Sequence, residues 1–306
     1  MSRLEICLLG DVSLRAHMSS SLRFPTKKSK SLLAYLVVHK QRTFTRSALA
    51  GKFWPETEEV QAQRSLNTEV WRLRTMLKGS GLAPDTFLCS DRDSIGFRYD
   101  SDHWLDAAEF QALTQPLTSH NGISRHFELQ PELRKAIALY RGDFLEGVFD
   151  DWCLVQREDY RVRLMAALEV LLAAAMEERR WEEAIAYGRR LLELDPLLEH
   201  VHRALMRCHS SFGNRPAALR QYATCERILR DELQIEPMEE TQQLFDKLAT
   251  PTIVQRQSGD LRDRTGPMGK STYTAAQRTD AALSNLSAAR RLLDDAIRQL
   301  RTAGSS

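Results

Sequence analysis

The chain has 306 residues, enough for about two domains that each contain a hydrophobic core. Its 42% hydrophobic and 27% charged content is ordinary for a globular protein and excludes an intrinsically disordered chain. No apolar run of about 18 residues occurs, which excludes a membrane-spanning helix. A net charge of +2 does not by itself indicate a nucleic-acid partner.

The N-terminus and the cysteines together indicate a cytoplasmic protein. The first apolar run is interrupted by Glu5 and Asp11, which is typical of a strand and not of a signal peptide. The five cysteines are scattered without a C-x-x-C pair, as expected for small buried residues in a reducing compartment. We therefore expect neither disulfides nor a zinc cluster.

Basic residues are concentrated in one segment near the N-terminus, from Arg15 to Lys78. Its few acidic residues are Glu56, Glu58, Glu59 and Glu69. A basic segment of about domain size is the charge distribution expected for a surface that contacts phosphates. The basic residues are Arg15, Arg23, Lys27, Lys28, Lys30, Lys40, Arg42, Arg46, Lys52, Arg64, Arg72, Arg74 and Lys78.

The same region predicts strands, three helices and a terminal hairpin. Gly10-Asp11 is a turn between two strands, Thr45 is a helix N-cap, and Trp54-Pro55 ends the helix that follows it. This order indicates a winged helix-turn-helix. The predicted strands lie within Leu4–Ala16 and Leu22–Phe24, the helices at Lys30–His39, Arg46–Phe53 and Gln61–Gly79, and the hairpin at Phe87–Tyr99.

The third helix has two faces of different chemistry. At a helical period its apolar stripe contains Ala62, Leu66, Val70, Leu73 and Leu77, which we expect to be buried. The opposite face offers guanidinium groups, hydroxyls and an indole, which suit base edges, phosphates and thymine methyl groups. Those outward residues are Arg64, Thr68, Trp71, Arg72 and Thr75.

The N-terminal region resembles the OmpR-type winged helix found in the Streptomyces antibiotic regulatory protein (SARP) family of bacterial activators. The resemblance rests on Lys30–Leu36, Ala48–Pro55, Trp71–Leu77, Ile95–Tyr99 and Trp104–Phe110. Where the family often has a longer glycine-rich wing, this chain has the acidic tip Ser90–Ser94 and a phenylalanine at the tyrosine position. Arg92 and Arg98 are its candidate wing contacts.

The chain from Pro131 to Leu248 predicts stacked helical hairpins. Trp181–Ile185 is echoed by Arg215–Leu219, an offset of 34 residues that matches the tetratricopeptide period. Stacked hairpins of this kind leave a concave surface for a partner. The predicted helices are Glu132–Tyr140, Tyr160–Arg179, Trp181–Leu194, Glu199–Phe212, Pro216–Leu233 and Met238–Leu248.

This second region resembles the bacterial transcriptional activator domain of SARP proteins. The matching motifs are Leu139–Gly147, Gly213–Tyr222 and Glu232–Pro237. The resemblance covers Ser2 to about Leu248 and implies a winged helix at 1–113 and an activator domain at 131–250. Their Pro, Gly, Ser and Asn content predicts linkers at 114–130 and 251–270, and a C-terminal helix is predicted within 271–306.

The tail predicts an amphipathic helix outside that resemblance. Ala282, Leu286, Ala289, Leu293, Ala296 and Leu300 form a seam with alternating steps of four and three. Packing within the chain and a coiled-coil dimer remain open alternatives, because the seam is short for self-association.

Catalytic and metal-binding patterns are missing from the sequence. No G-x-x-x-x-G-K-S/T, G-x-S-x-G or H-E-x-x-H motif occurs. His200 and His202 point apart on a helix and do not form a metal site. We therefore expect neither an enzyme nor a cofactor.

The predicted fold is an α+β winged helix-turn-helix followed by an all-α tetratricopeptide-like domain and a C-terminal amphipathic helix. We expect a sequence-specific transcriptional regulator in which Arg64, Thr68, Trp71, Arg72 and Thr75 contact bases. Phosphate and wing contacts are expected from Lys27, Lys28, Lys30, Arg46, Arg92 and Arg98.

The resemblance implies activation from direct repeats of promoter DNA, recruitment of RNA polymerase, and two protomers side by side on the DNA. The seam of the C-terminal helix is a candidate contact of that homodimer. The alternative is an interaction adaptor, in which the helical groove is the working surface and the winged helix recognises protein. The sequence indicates neither the target promoters nor an activating signal.

Overall fold

The computed structural model describes residues 3–16, 21–39, 42–118 and 128–250. Its contacts divide the chain into two compact units. The first contains Met1–Thr114 and Lys135–Val162, and the second contains Gln115–Arg134 and Arg163–Ser306. The predicted linker at 251–270 and the C-terminal helix at 271–306 lie outside the described residues, as does most of the predicted linker at 114–130.

The first unit begins with a four-stranded sheet in the order β3-β2-β1-β7. The predicted strand, turn and strand are confirmed, with Gly10 at a φ of +107° in the turn, a value that favours glycine. β7 pairs in parallel with β1 and was not predicted. The strands are β1 Leu4–Cys7, β2 Ser13–Ala16, β3 Ser21–Leu22 and β7 His103–Leu105.

Three helices follow, as predicted: α1 Lys27–Val38, α2 Arg46–Phe53 and α3 Glu59–Gly79. α1 begins earlier than expected because Thr26 Oγ1 accepts a hydrogen bond from the Ser29 N–H at 2.9 Å and caps the helix. Thr45 caps α2 in the same way, through the Ala48 N–H at 3.3 Å. The predicted apolar stripe of α3 is fully buried and forms the core between the helices.

The wing is a second sheet in the order β4-β6-β5. Its hairpin was predicted, and β4 Thr43–Thr45 joins it as an unpredicted third strand. Gly96 permits this pairing, because a Cβ there would lie 3.0 Å from the Arg42 carbonyl oxygen. The remaining elements are α4 Pro84–Phe87, β5 Leu88–Ser90 and β6 Ser94–Phe97.

The loop that follows Tyr140 packs on the N-terminal sheet. The Leu145 N–H donates to the Leu8 carbonyl at 2.8 Å, and the Gly10 N–H donates to the Asp143 carbonyl at 3.0 Å. Asp106, at the start of α5 Asp106–Thr114, is fully buried, and its carboxylate accepts from the N–H groups of Leu8 and Leu9. The motif Leu139–Gly147 therefore completes the first unit.

The described part of the second unit is helical, and the division between the units falls within α6 and α7. α8 begins at Trp181 and α10 at Arg215, which preserves the predicted offset of 34 residues. α7 begins six residues before the predicted Tyr160, because a 3-10 turn at Asp151–Cys153 leads directly into it. The helices are α6 Gln130–Leu139, α7 Leu154–Glu177, α8 Trp181–Leu194, α9 Glu199–Ser211, α10 Arg215–Leu233 and α11 Glu239–Ala249.

Each successive pair of helices from α8 to α11 packs together. Gly188 of α8 lies against Leu205 of α9, where an added Cβ would come within 2.7 Å of the leucine side chain. The predicted fold class is confirmed for the described residues: an α+β winged helix-turn-helix and, after it in the chain, stacked helical hairpins. No helix among these residues is long and apolar enough to cross a membrane.

Candidate nucleic-acid interface

The outward face of α3 is a polar surface around one large aromatic side chain. Trp71 lies at its centre and is 64% exposed, which is unusual for an indole. Arg64, Thr68 and Thr75 are also exposed on this face, and the Thr68 hydroxyl donates to the Arg64 carbonyl at 3.0 Å. The orientation that the helical period predicted for these side chains is therefore the one observed.

A shallow depression lies between α3 and the wing. Three arginines from three elements line it: Arg46 from α2, Arg74 from α3 and Arg92 from the wing tip. Trp71 forms part of the same surface. Such a concave, cationic surface beside an exposed ring suits a sugar-phosphate backbone. The other lining residues are Asn67, Val70 and Ser90.

Arg46 connects α2, α3 and the wing. Its guanidinium donates to Asn67 Oδ1 at 2.6 Å, to the Ser90 hydroxyl at 3.0 Å and to the Asp91 carbonyl at 2.9 Å. These bonds join the N-terminus of α2 to the tip of the hairpin and to the exposed face of α3. The side chain thus fixes the shape of the depression that it also lines.

The lysines at the start of α1 have different surroundings. Lys27 is exposed, whereas Lys28 Nζ donates to the Phe53 carbonyl at 2.9 Å and stabilises the C-terminus of α2. Lys30 pairs with Asp11 in the turn of the first sheet. An ammonium group has three N–H donors, so Lys28 and Lys30 keep donors for a further anion.

The wing residues divide between the depression and its surroundings. Arg92 and Arg98 are both exposed, but only Arg92 lines the depression. The backbone N–H of Arg98 donates to the Phe87 carbonyl at 2.8 Å, which places this residue at the base of the hairpin.

Tyr99 follows, and its hydroxyl donates to the Val37 carbonyl of α1. Burial raises the pKa of Tyr99 to about 12, so this hydroxyl keeps its proton.

Arg72 differs from the other outward residues because it has an acidic partner. Its Nη1 donates to Oε1 of Glu69 at 2.5 Å, and its side chain is 39% exposed. The Glu69 carboxylate is buried and accepts from the hydroxyls of Thr26 and Ser29 as well.

Burial alone would raise the pKa of Glu69, but hydrogen bonds from Ser29, Thr26 and Arg72, together with the charge of Arg72, lower it on balance. The carboxylate is therefore ionised at neutral pH.

Four residues of the depression were not among the predicted DNA contacts: Asn67, Val70, Arg74 and Ser90. Asn67 and Arg74 lie four residues before and three residues after Trp71, so helical spacing was a signal that would have found them. Ser90 carries no such signal, because the turn of the hairpin determines its position.

Two family models match the chain in the same order as its two predicted regions. The model described as "Transcriptional regulatory protein, C terminal" matches residues 24–89, which contain α1, α2 and α3. The model described as "Bacterial transcriptional activator domain" matches residues 105–249. The chain therefore contains the two domains that the SARP family combines, an OmpR-type DNA-binding domain and this activator domain, in the same order. The predicted resemblance is confirmed.

Relatives within this family are distant in sequence. The regulatory protein AfsR of Streptomyces coelicolor is 26% identical over 230 residues, which cover 74% of this chain and 23% of AfsR. The chain thus spans about a quarter of the length of AfsR. The transcriptional regulatory protein MoaR1 of Mycobacterium tuberculosis is 23% identical over 250 residues, covering 79% of this chain and 78% of MoaR1.

A solved structure shares the SARP-type fold. It is that of Mycobacterium tuberculosis EmbR in complex with a low-affinity phosphopeptide, and it superposes with a TM-score of 0.63 at 21% sequence identity. The match covers 96% of this chain and 72% of EmbR. The two proteins therefore share a fold.

Proposed function

We propose that this chain is a sequence-specific transcriptional activator without enzymatic activity, and that it acts in the bacterial cytoplasm. The observation that carries the proposal is the exposed indole of Trp71 beside a depression lined by Arg46, Arg74 and Arg92. The exposed ring leaves apolar surface in water, and three guanidinium groups line one depression, of which only that of Arg74 has an acidic partner among the described residues, Asp85 at 2.8 Å. An anionic partner best explains this surface. The matched OmpR-type and activator domains support double-stranded promoter DNA as that partner.

In this proposal α3 lies in the major groove and its outward side chains contact base edges. Arg64, Thr68, Trp71, Arg72 and Thr75 supply the base contacts. Cationic groups around α3 contact phosphates and fix the register of the protein on the duplex. These groups are Lys27, Lys28, Lys30, Arg46, Arg92 and Arg98.

Assembly on the promoter follows from the family resemblance. Two protomers lie side by side on direct repeats and recruit RNA polymerase, with the C-terminal helix as a candidate contact between them. The domain limits expected from the sequence, 1–113 for DNA binding and 131–250 for activation, belong to this proposal. The contacts of 135–162 with the first unit support a role for that stretch in holding the winged helix.

The test is a gel-shift and footprinting assay on genomic promoter fragments at rising salt. We expect particular promoters to be protected, and Trp71→Ala to weaken that binding about tenfold or more, because the substitution removes the central contact of α3. Met238→Ala is the matched control, since Met238 is a similarly exposed apolar residue of the second unit at 58% exposure.

Uniformly weak binding that salt erases would contradict the proposal and favour the interaction adaptor. Equal effects of Trp71→Ala and Met238→Ala would show that α3 is not the surface that contacts DNA.

A further inference from the structure

Glu69 is an unusual residue for a helix that contacts DNA. Phosphates repel a carboxylate placed beside them. Burying the carboxylate also removes its hydration, which is unfavourable unless protein groups hydrogen-bond to it. Glu69 is 6% exposed and lies on α3 between the buried stripe and the outward face. Hydrogen bonds to the carboxylate must therefore compensate for its lost hydration and for its repulsion from phosphates. The contacts around Glu69 include such bonds.

One oxygen of this carboxylate is held by α1. Thr26 Oγ1 donates to Oε2 at 2.6 Å and Ser29 Oγ donates to it at 2.5 Å. Thr26 is also the N-cap of α1, whose first turn contains no acidic residue of its own. Glu69 thus supplies from α3 the negative charge that favours a helix N-terminus, and its position relative to α1 is fixed.

The other oxygen holds Arg72. A guanidinium has five N–H donors in a rigid plane, so one charged hydrogen bond at 2.5 Å restricts the orientation of the rest. The side chain of Arg72 remains 39% exposed, which leaves donors directed to solvent on the outward face. A guanidinium whose orientation is fixed before binding loses less entropy when it meets a base edge.

We propose that Glu69 is a positioning residue for DNA recognition, which holds Arg72 in the orientation that contacts a base while it anchors α3 to the N-terminus of α1. The inference rests on the proposed function, because Arg72 must contact DNA for its orientation to matter. The expected change in DNA affinity on removing Glu69 is opposite to the change that charge repulsion from phosphates alone predicts. Removing this negative charge weakens specific binding, although removing other negative charges from α3 strengthens it.

The test is a double-mutant cycle measured by gel shift on the protected promoter. Glu69→Gln keeps the size of the side chain and removes its charge, and we expect about a tenfold loss of affinity with a relaxed preference at one base position. In the Arg72→Ala background we expect the same change to have less than about a twofold effect, because the residue that Glu69 orients is gone.

Glu59→Gln is the matched control. Glu59 is an exposed glutamate in the first turn of the same helix, and we expect its replacement to raise affinity slightly through weaker repulsion of phosphates. Glu69→Asp keeps the charge but shortens the reach to Arg72, so it should retain folding and lose base preference. Thermal melts of all variants establish that each is folded.

Guanidinium NMR signals of Arg72 provide a reading that does not depend on DNA. We expect them to be resolved in the wild type and averaged by rotation in Glu69→Gln. Tighter promoter binding by Glu69→Gln, or additive effects with Arg72→Ala, would overturn the inference. Absence of selective binding by the wild type itself would instead overturn the proposed function, whatever the NMR signals show.

Discussion

At the scale of single residues, the side chains on the outward face of α3 differ in whether an intramolecular hydrogen bond fixes their orientation. Arg72 is held by Glu69, whereas the exposed Arg64 guanidinium has no hydrogen-bond or ion-pair partner among the residues that the structure describes. The two arginines therefore enter a complex at different entropic cost. Arg64 must be ordered by the DNA itself, so its contribution depends on how well one base edge fits it.

Replacement of Arg64 should relax sequence preference and leave the fold intact. We expect Arg64→Ala to reduce discrimination at one base pair by about 1–3 kcal/mol if Arg64 contacts that base. Lys27→Ala, which removes an exposed cation, should lower affinity for all sequences and reduce the salt slope by about one. Binding to a promoter library at several salt concentrations measures both. An unchanged footprint and preference in Arg64→Ala would place α3 in another orientation.

The network around Glu69 also predicts a pH dependence of stability. The folded-state pKa of Glu69 lies below its unfolded value of about 4.5, so the stabilisation is present above that value. It is lost as pH falls through the folded-state pKa, where the carboxylate takes up a proton. We expect the wild type to be more stable than Glu69→Gln by about 1–3 kcal/mol at pH 7, and the difference to vanish in acid. Denaturant melts at several pH values measure it, and a difference independent of pH would contradict the ionised network.

At the scale of elements, the longer helices could be predicted from the sequence, whereas the four-residue helix α4 and two strands could not. The local spacing of apolar residues predicts helices, and residue type predicts their N-caps, such as Thr45. β4 and β7 have three residues each, and their partners lie far along the chain, so no local pattern marks them. The partners of Glu69 on α1 were missed for the same reason, because Thr26 is 43 residues away.

The contact between α8 and α9 offers a test of element packing that is separate from DNA binding. Gly188→Val would place new atoms against Leu205, which is 1% exposed and has little room to move. We expect a loss of about 1–3 kcal/mol in the stability of the helical unit. Leu205→Ala combined with Gly188→Val should recover part of that loss, because it removes the obstructing side chain. Circular dichroism melts decide the question, and additive losses in the double variant would exclude a direct contact.

At the scale of the whole molecule, the proposed activator would bind a protein partner as well as DNA, and the first unit has an exposed ring outside the predicted DNA contacts. Phe149 is 88% exposed, in the stretch that joins the loop after Tyr140 to α7. Leu154 and Val155, a short distance further along, are also about half exposed. Large exposed apolar side chains close together in sequence are typical of protein contact surfaces. We therefore expect this stretch to take part in recruitment of RNA polymerase.

Phe149→Ser should separate activation from DNA binding. The side chain makes little contact with the fold, so the substitution should leave stability and promoter footprints unchanged while transcription in vitro with purified RNA polymerase falls several-fold, because an aromatic anchor of an interface is lost. Phe212→Ser is the matched control, since Phe212 is an exposed phenylalanine of the second unit at 51% exposure. A weakened footprint in Phe149→Ser would assign the ring to DNA contact, and full transcription would remove it from the polymerase interface.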